Sequence, residues 1–207
     1  MKLFAIILAA IFSYFLGNFS TGAFIARRVK GSGMDIRKYG SGSSGATNVL
    51  RVVGKKAALI TFAGDFLKGA IAATLGYVLG GRDGAMLCGI LVVMGHIWPA
   101  LMQFKGGKGV ATSIAVILVI TPGQALLVLA IALGCIVLTR YVSLGDMLAA
   151  FTYALALCPW AIIHQQYTVF WFALALAALV IFAHRGNIRR LVKGTENRLD
   201  MSAFKSK

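Results

Sequence analysis

Long apolar runs separated by short polar stretches divide the chain. They cover about 3–26, 57–80, 84–104, 110–138, 142–163 and 167–183. Most hold roughly 17–24 residues, enough for a helix rising about 1.5 Å per residue to cross about 30 Å of hydrocarbon. The 110–138 run is 29 residues long and is interrupted by Thr121-Pro122-Gly123, a turn signal that makes it either one long kinked helix or a hairpin of two short helices. The first run continues to Ala26 without an A-x-A-like cleavage site, so it reads as a membrane helix rather than a secretory signal. No internal repeat and no second domain is visible. The pattern predicts one polytopic, all-α membrane domain over residues 1–207.

Charge orients these helices. Eighteen of the 21 Lys and Arg residues fall in four places: 27–56, 105–108, Arg140 and the tail from Arg185. Basic residues collect in cytoplasmic loops, so all four are expected on that side. Keeping Arg140 there requires the hairpin around Pro122. The expected topology is therefore seven transmembrane helices, with the N-terminus outside and the C-terminus in the cytoplasm. The composition agrees: 59% of residues are hydrophobic and only 13% are charged. In a soluble protein the net charge of +15 would suggest nucleic acid. In a membrane chain it suggests cytoplasmic loops and an anionic substrate, so no nucleic-acid partner is expected. Cys88, Cys135 and Cys158 lie in apolar stretches and read as packing residues. Neither they nor the three widely spaced histidines show a metal-ligand spacing.

Four polar stretches then share one membrane face. The first, YGSGSSGATNVLR (39–51), formally contains G-x-G-x-x-G but lacks the strand–turn–helix setting of a dinucleotide site. Its glycines can still turn backbone amides inward around an anion, with Thr47, Asn48 and Arg51 adding donors. The second, FKGGKGVAT (104–112), fails as a P-loop because Gly109 follows Lys108 where Ser or Thr is required. It nevertheless sets Lys105 and Lys108 around two glycines just before a helix, an arrangement suited to phosphate. The third is RYVSLGD (140–146), in which Ser143 can cap a helix or bind substrate. The fourth clusters His184, Arg185, Asn187, Arg189 and Arg190, with Glu196 following. Inside the second run, Asp65 and Lys68 lie at i, i+3 and are expected to pair. His96, ending the third run, reads as a structural hydrogen-bonder or a substrate ligand.

Together, Ser41-Gly42-x-x-Gly45-Ala46-Thr47-Asn48-x-x-Arg51, His96-x-x-Pro99 with Phe104-Lys105-Gly106-Gly107-Lys108-Gly109-Val110-Ala111-Thr112, and His184-Arg185-x-Asn187-Ile188-x-Arg190-Leu191 resemble the PlsY family of bacterial acyl-phosphate:glycerol-3-phosphate acyltransferases. The resemblance spans nearly the whole chain. It departs at Ser43-Ser44, where Asn-Pro is usual, at Ala100-Leu101, where Val-Phe is common, and at Asp146, where a small residue is frequent.

The resemblance implies an enzyme with seven membrane helices in the bacterial cell membrane and a site at the cytoplasmic face. It implies acyl transfer from acyl phosphate to the sn-1 hydroxyl of glycerol 3-phosphate, giving lysophosphatidate and phosphate, without a cofactor or an obligatory protein partner. Ser41, Gly42, Gly45, Thr47 and Asn48 are expected to hold the acyl phosphate. Arg51, Lys108, Ser143, His184 and Asn187 are expected to hold glycerol 3-phosphate. His96, Lys105, Gly106, Gly107, Gly109, Asp65 and Lys68 are expected to support them. Phosphate is already a good leaving group, so positioning and electrostatics can suffice. The hydroxyl proton is expected to pass to a substrate phosphate, with His184 as the protein alternative and Ser143 as a candidate orienting group. The rival reading is a transporter of phosphate or phosphorylated metabolites.

Overall fold

A computed structural model describes residues 1–199 and is all-helical over them. Nine α-helices follow in order: α1 Lys2–Asn18, α2 Thr21–Lys30, α3 Ala46–Val52, α4 Lys55–Ile97, α5 Val110–Ile120, α6 Pro122–Thr139, α7 Val142–Ile163, α8 Tyr167–Ala183 and α9 Arg185–Val192. The first apolar run is not one helix. It breaks after Asn18, and Ser20 starts α2 by accepting a hydrogen bond from the Ala23 amide (3.3 Å).

α4 is 43 residues long, about twice the length needed for one crossing. Its backbone leaves helical geometry at Gly80 and Gly81, the latter at φ +61°. Asp65 and His96 meet across this break, with Oδ1 and Nδ1 3.6 Å apart. In a continuous helix, 31 residues would separate them by roughly 46 Å. The segment is therefore a hairpin, and its legs touch where Gly76 and Gly84 pack backbone to backbone. A side chain at either position would strike the opposite carbonyl. In lipid, packing rather than the hydrophobic effect holds helices together, so small residues at such crossings set how closely the legs approach.

α5 and α6 form the second hairpin. Thr121 bonds back to the Ile117 carbonyl (3.2 Å) and Pro122 opens α6. At 11 residues, α5 is too short to span alone. By length and apolar composition, Lys2–Lys30, Lys55–Met102, Pro122–Thr139 and Val142–Ile163 could each cross a membrane, as could α8 and α9 taken together across a 58° bend.

The core lies where both legs of α4 meet α5, α7 and α8. It is built from Val92, Val93, Val116, Tyr153, Leu157 and Phe172, each no more than 4% exposed. The outward faces remain apolar, with Leu59, Val78, Val137, Leu138 and Ile163 all at least 70% exposed. Such a surface needs lipid to cover it.

Candidate active site

The two glycine loops fold against one another at one end of the bundle. Asn48 fastens the first. Its Nδ2 donates to the carbonyls of Ser43 (2.8 Å), Tyr39 (3.0 Å) and Ile36 (3.3 Å), and its Oδ1 accepts from the Ser41 amide (2.8 Å). Asn48 was expected to hold the acyl phosphate. It lines the cavity described below, and its side chain also binds the loop to itself. Gly42, at φ +74°, turns the chain there and donates its amide to Tyr39. The Ser43 hydroxyl accepts from the Gly45 amide (3.2 Å) and holds the turn that leads into α3.

The second loop folds back on the end of α4. Gly106 and Gly107 donate their amides to the carbonyls of Ile97 (3.2 Å) and His96 (3.0 Å). Gly107 lies directly on His96 Nε2, where no Cβ fits. Beneath it, Asp65 pairs with Lys68 (2.9 Å), as their spacing predicts, and faces His96. Lys68 also donates to the carbonyls of Phe19 (2.8 Å) and Gly17 (3.2 Å), tying α1 to the same post. Gly107→Ala should push the loop off His96. Overpacking of this kind costs about 1–3 kcal/mol, and thermal unfolding of the variant would show the loss.

Arg37 joins the two loops. Asp35 grips its guanidinium at two points (2.9 and 3.0 Å), and its Nη1 donates to the carbonyls of Met102 (3.0 Å) and Lys105 (3.2 Å). The guanidinium beside it holds the Asp35 carboxyl below the usual carboxylate range.

The loops border a cavity of about 280 Å³, apolar over much of its lining and polar where the loops, α7 and the tail wall it. Ser41, Ser43, Gly45, Thr47 and Arg51 wall it from one side, Lys108 and Gly109 from another, Ser143 and Asp146 from α7, and Asn187 and Glu196 from the tail. A second cavity of about 380 Å³ shares Ser41, Ser43, Lys108 and Asn187 with it and adds Arg37, Gly42, Lys105, Arg185, Arg189 and Arg190. A narrower apolar slot of about 50 Å³ leads away between α5, α6, α7 and α8, and Tyr153 lines it.

Glu196 organises the wall. Its carboxylate accepts from Asn187 Nδ2 (2.7 Å), Arg190 Nε (2.8 Å) and Ser143 Oγ (3.0 Å). Burial works to raise this carboxyl, but the three hydrogen bonds prevail and hold it below its ordinary value. The tail residue drew notice in the sequence, but nothing there linked it to Ser143, 53 positions earlier. His184, expected to touch glycerol 3-phosphate, is fully buried behind Asp146 and lines neither cavity nor slot.

Partnership sorts the cations. Arg37, Lys68 and Arg190 are each paired with a carboxylate. Among the described residues, nothing accepts a hydrogen bond from the side chains of Arg51 or Lys108, both of which reach the polar cavity. Burial pushes the Lys108 ammonium down to about 8, against the attraction of Asp146 and Glu196. Two cations facing the cavity with no hydrogen-bonded carboxylate of their own can form a seat for a phosphoryl group. Below about pH 8 Lys108 is charged in the empty site, and above it the proton is lost. The KM for a phosphate-bearing substrate should therefore climb as pH rises past about 8, and Lys108→Met should flatten that limb. Initial rates across pH, with each substrate varied in turn, check this.

The comparisons with known proteins bear on this geometry. Residues 7–194 match the family model described as glycerol-3-phosphate acyltransferase. A glycerol-3-phosphate acyltransferase of Thermoanaerobacter sp. (strain X514) is 47% identical over 193 residues, which cover 93% of this chain and 95% of that one. Another, from Clostridioides difficile (strain 630), is 42% identical over 207 residues, covering 96% and 98%. Among solved structures, the glycerol 3-phosphate form of PlsY, an integral membrane glycerol 3-phosphate acyltransferase, superposes with a TM-score of 0.86 at 37% identity, covering 96% of this chain and 98% of that one. The lysophosphatidic acid form superposes at 0.83 and 36% identity, covering 97% and 99%. Sequence and fold agree over almost the full length, and the chain belongs to the glycerol-3-phosphate acyltransferase family represented by PlsY.

Proposed function

We propose that this membrane glycerol-3-phosphate acyltransferase draws its acyl group from acyl phosphate and places it on the sn-1 hydroxyl, releasing lysophosphatidate and phosphate. One observation carries the reading: a cavity that two cations without hydrogen-bonded partners face, walled by both glycine loops, shares Val110, Ile114, Leu129, Ala132 and Asp146 with an apolar slot beside it. The headgroup of an acyl phosphate suits the cavity and its tail suits the slot. The first loop, through Ser41, Gly45 and Thr47, holds the donor phosphate. Arg51, Lys108, Ser143 and Asn187 hold glycerol 3-phosphate. Gly42 and Lys105 border the adjoining basic cavity, through which anions reach the site.

The membrane arrangement is part of the same proposal. Counting each leg of α4, the α5–α6 hairpin as two, and α1, α7 and α8 gives seven helices. The N-terminus lies outside, and the loops and tail lie on the cytoplasmic side of a bacterial cell membrane. The transporter reading has less support. Transporters bind near the bilayer midplane between inverted repeats, whereas here the polar groups gather at one end of the bundle.

The test uses purified full-length protein in detergent, supplied with palmitoyl phosphate and glycerol 3-phosphate. Coupled appearance of phosphate and lysophosphatidate is expected. Activity with palmitoyl-CoA alone would overturn the donor. Uptake of labelled phosphate into sealed vesicles without acyl transfer would replace the enzyme by a transporter.

A further inference from the structure

The apolar slot has a floor. α5 and α7 both run into it from the mouth it shares with the 280 Å³ cavity. Val110 and Asp146 stand at that mouth, and Ile117 and Tyr153 stand seven residues further along the same two helices. Seven residues of helix advance about 10 Å. Between mouth and floor the walls carry Ala149, Ala150 and Ala177, whose small side chains leave the space open. At the bottom, Ile117 and Tyr153 are no more than 4% exposed and belong to the packed core.

Tyr153 is fastened in place. Its hydroxyl lies 3.0 Å from that of Thr121, which in turn lies 3.2 Å from the Ile117 carbonyl. A hydroxyl has one hydrogen to give. Thr121 gives its own to the carbonyl, so Tyr153 donates to Thr121. The ring also meets Phe172 edge-on, with centroids 6.4 Å apart. Thr121 forms the turn between α5 and α6. Because α5 stops after 11 residues, about 16 Å of helix, this turn falls near the depth at which the slot ends. The hairpin that makes α5 short thus also pins the floor.

We propose that Tyr153, held by Thr121, limits how much of the acyl chain the enzyme grips and so sets its chain-length selectivity. The proposal rests on the reading above that places the donor's tail in this slot. An extended chain advances at most about 1.2 Å per bond. A palmitoyl tail is therefore longer than the slot is deep, and its outer carbons turn aside at the Tyr153 ring. Each carbon gained or lost inside the slot changes selectivity by up to about fourfold.

The test gives full-length enzyme in detergent an excess of glycerol 3-phosphate and an equimolar mixture of octanoyl, dodecanoyl and palmitoyl phosphates. The lengths of the lysophosphatidates formed are then measured. All tails compete in one pool, so their uptake by detergent is the same for every variant. Tyr153→Ala lowers the floor and should raise the dodecanoyl-to-octanoyl product ratio about fivefold or more over the parent. Ala150→Leu fills the slot partway down and should lower that ratio by a similar factor. Opposite shifts mark a length gauge, because a general loss of packing slows all tails together. A ratio within about twofold of the parent in either folded variant, or shifts of the same sign, would overturn the proposal. Should Tyr153→Ala not fold, Ala150→Leu decides alone: a lowered ratio supports the gauge, and an unchanged or raised one overturns it. If the parent uses no acyl phosphate, the donor reading falls instead. The same tails supplied as acyl-CoA then still read the slot, since a tail is the same whatever leaving group it carries.

Discussion

Arg51→Ala is expected to lower kcat/KM for glycerol 3-phosphate by about 100-fold or more while leaving the protein folded. Arg51 ends the short helix after the first glycine loop and reaches the cavity with a planar, permanently charged group. Among the described residues it has no hydrogen-bonding partner, so the fold loses nothing measurable when it is cut back. It is close enough to Glu196 and Arg190 to feel their charges, which places it opposite the tail wall. An anion bound between Arg51 and Lys108 is gripped from two sides, and removing either grip leaves the other working alone. Cys135→Ala is the control. That thiol packs on α6 beside Thr139, away from the cavity, and its loss should leave turnover unchanged. Equal effects from the two substitutions would discredit the site.

Glu196→Gln has the second largest expected effect, and it acts through other residues. The carboxylate holds Ser143, Asn187 and Arg190 at once, and these come from α7 and α9. Glutamine keeps the shape but has only one accepting oxygen and no charge, so Arg190 loses its ion pair. The KM for glycerol 3-phosphate should rise about tenfold or more, with a stability loss of about 1–3 kcal/mol. Steady-state kinetics alongside thermal unfolding separates the two. Because the folded-state pKa of Glu196 is depressed, its contribution to stability is fully present above the ordinary glutamate range. That contribution disappears as pH falls through the folded value. The glutamine variant should therefore lose less stability on acidification than the parent.

Much of this site could be read from the sequence, because some of its features are local. Asp65 and Lys68 pair because three residues of helix put them on one face. The breaks at Gly80-Gly81 and Thr121-Pro122 follow from residues that interrupt helices. The expectation that residues 41–51 and 105–109 share one end of the bundle came from where lysine and arginine accumulate, and one cavity now joins them. What escaped depends on long-range packing. No spacing rule connects Ser143 to Glu196, or Asp65 to His96. Asn48 sits in a loop rich in candidate phosphate donors, and only the fold shows its amide turned back on its own backbone. The break after Asn18 was hidden because its only polar signal, Asn18, Ser20 and Thr21, is short and set between two apolar stretches. His184 was marked as a possible base by residue type, but its burial behind Asp146 depends on how α7 meets α8.

The Arg37 bridge sets a further condition on substrates. One guanidinium fastens both glycine loops, so the loops cannot drift apart independently. The distance between two bound headgroups is then a property of the scaffold, settled before either arrives. A single compound carrying both phosphoryl groups at that span would meet a ready-made ruler, and would give up its rigid-body freedom once where two separate molecules give it up twice.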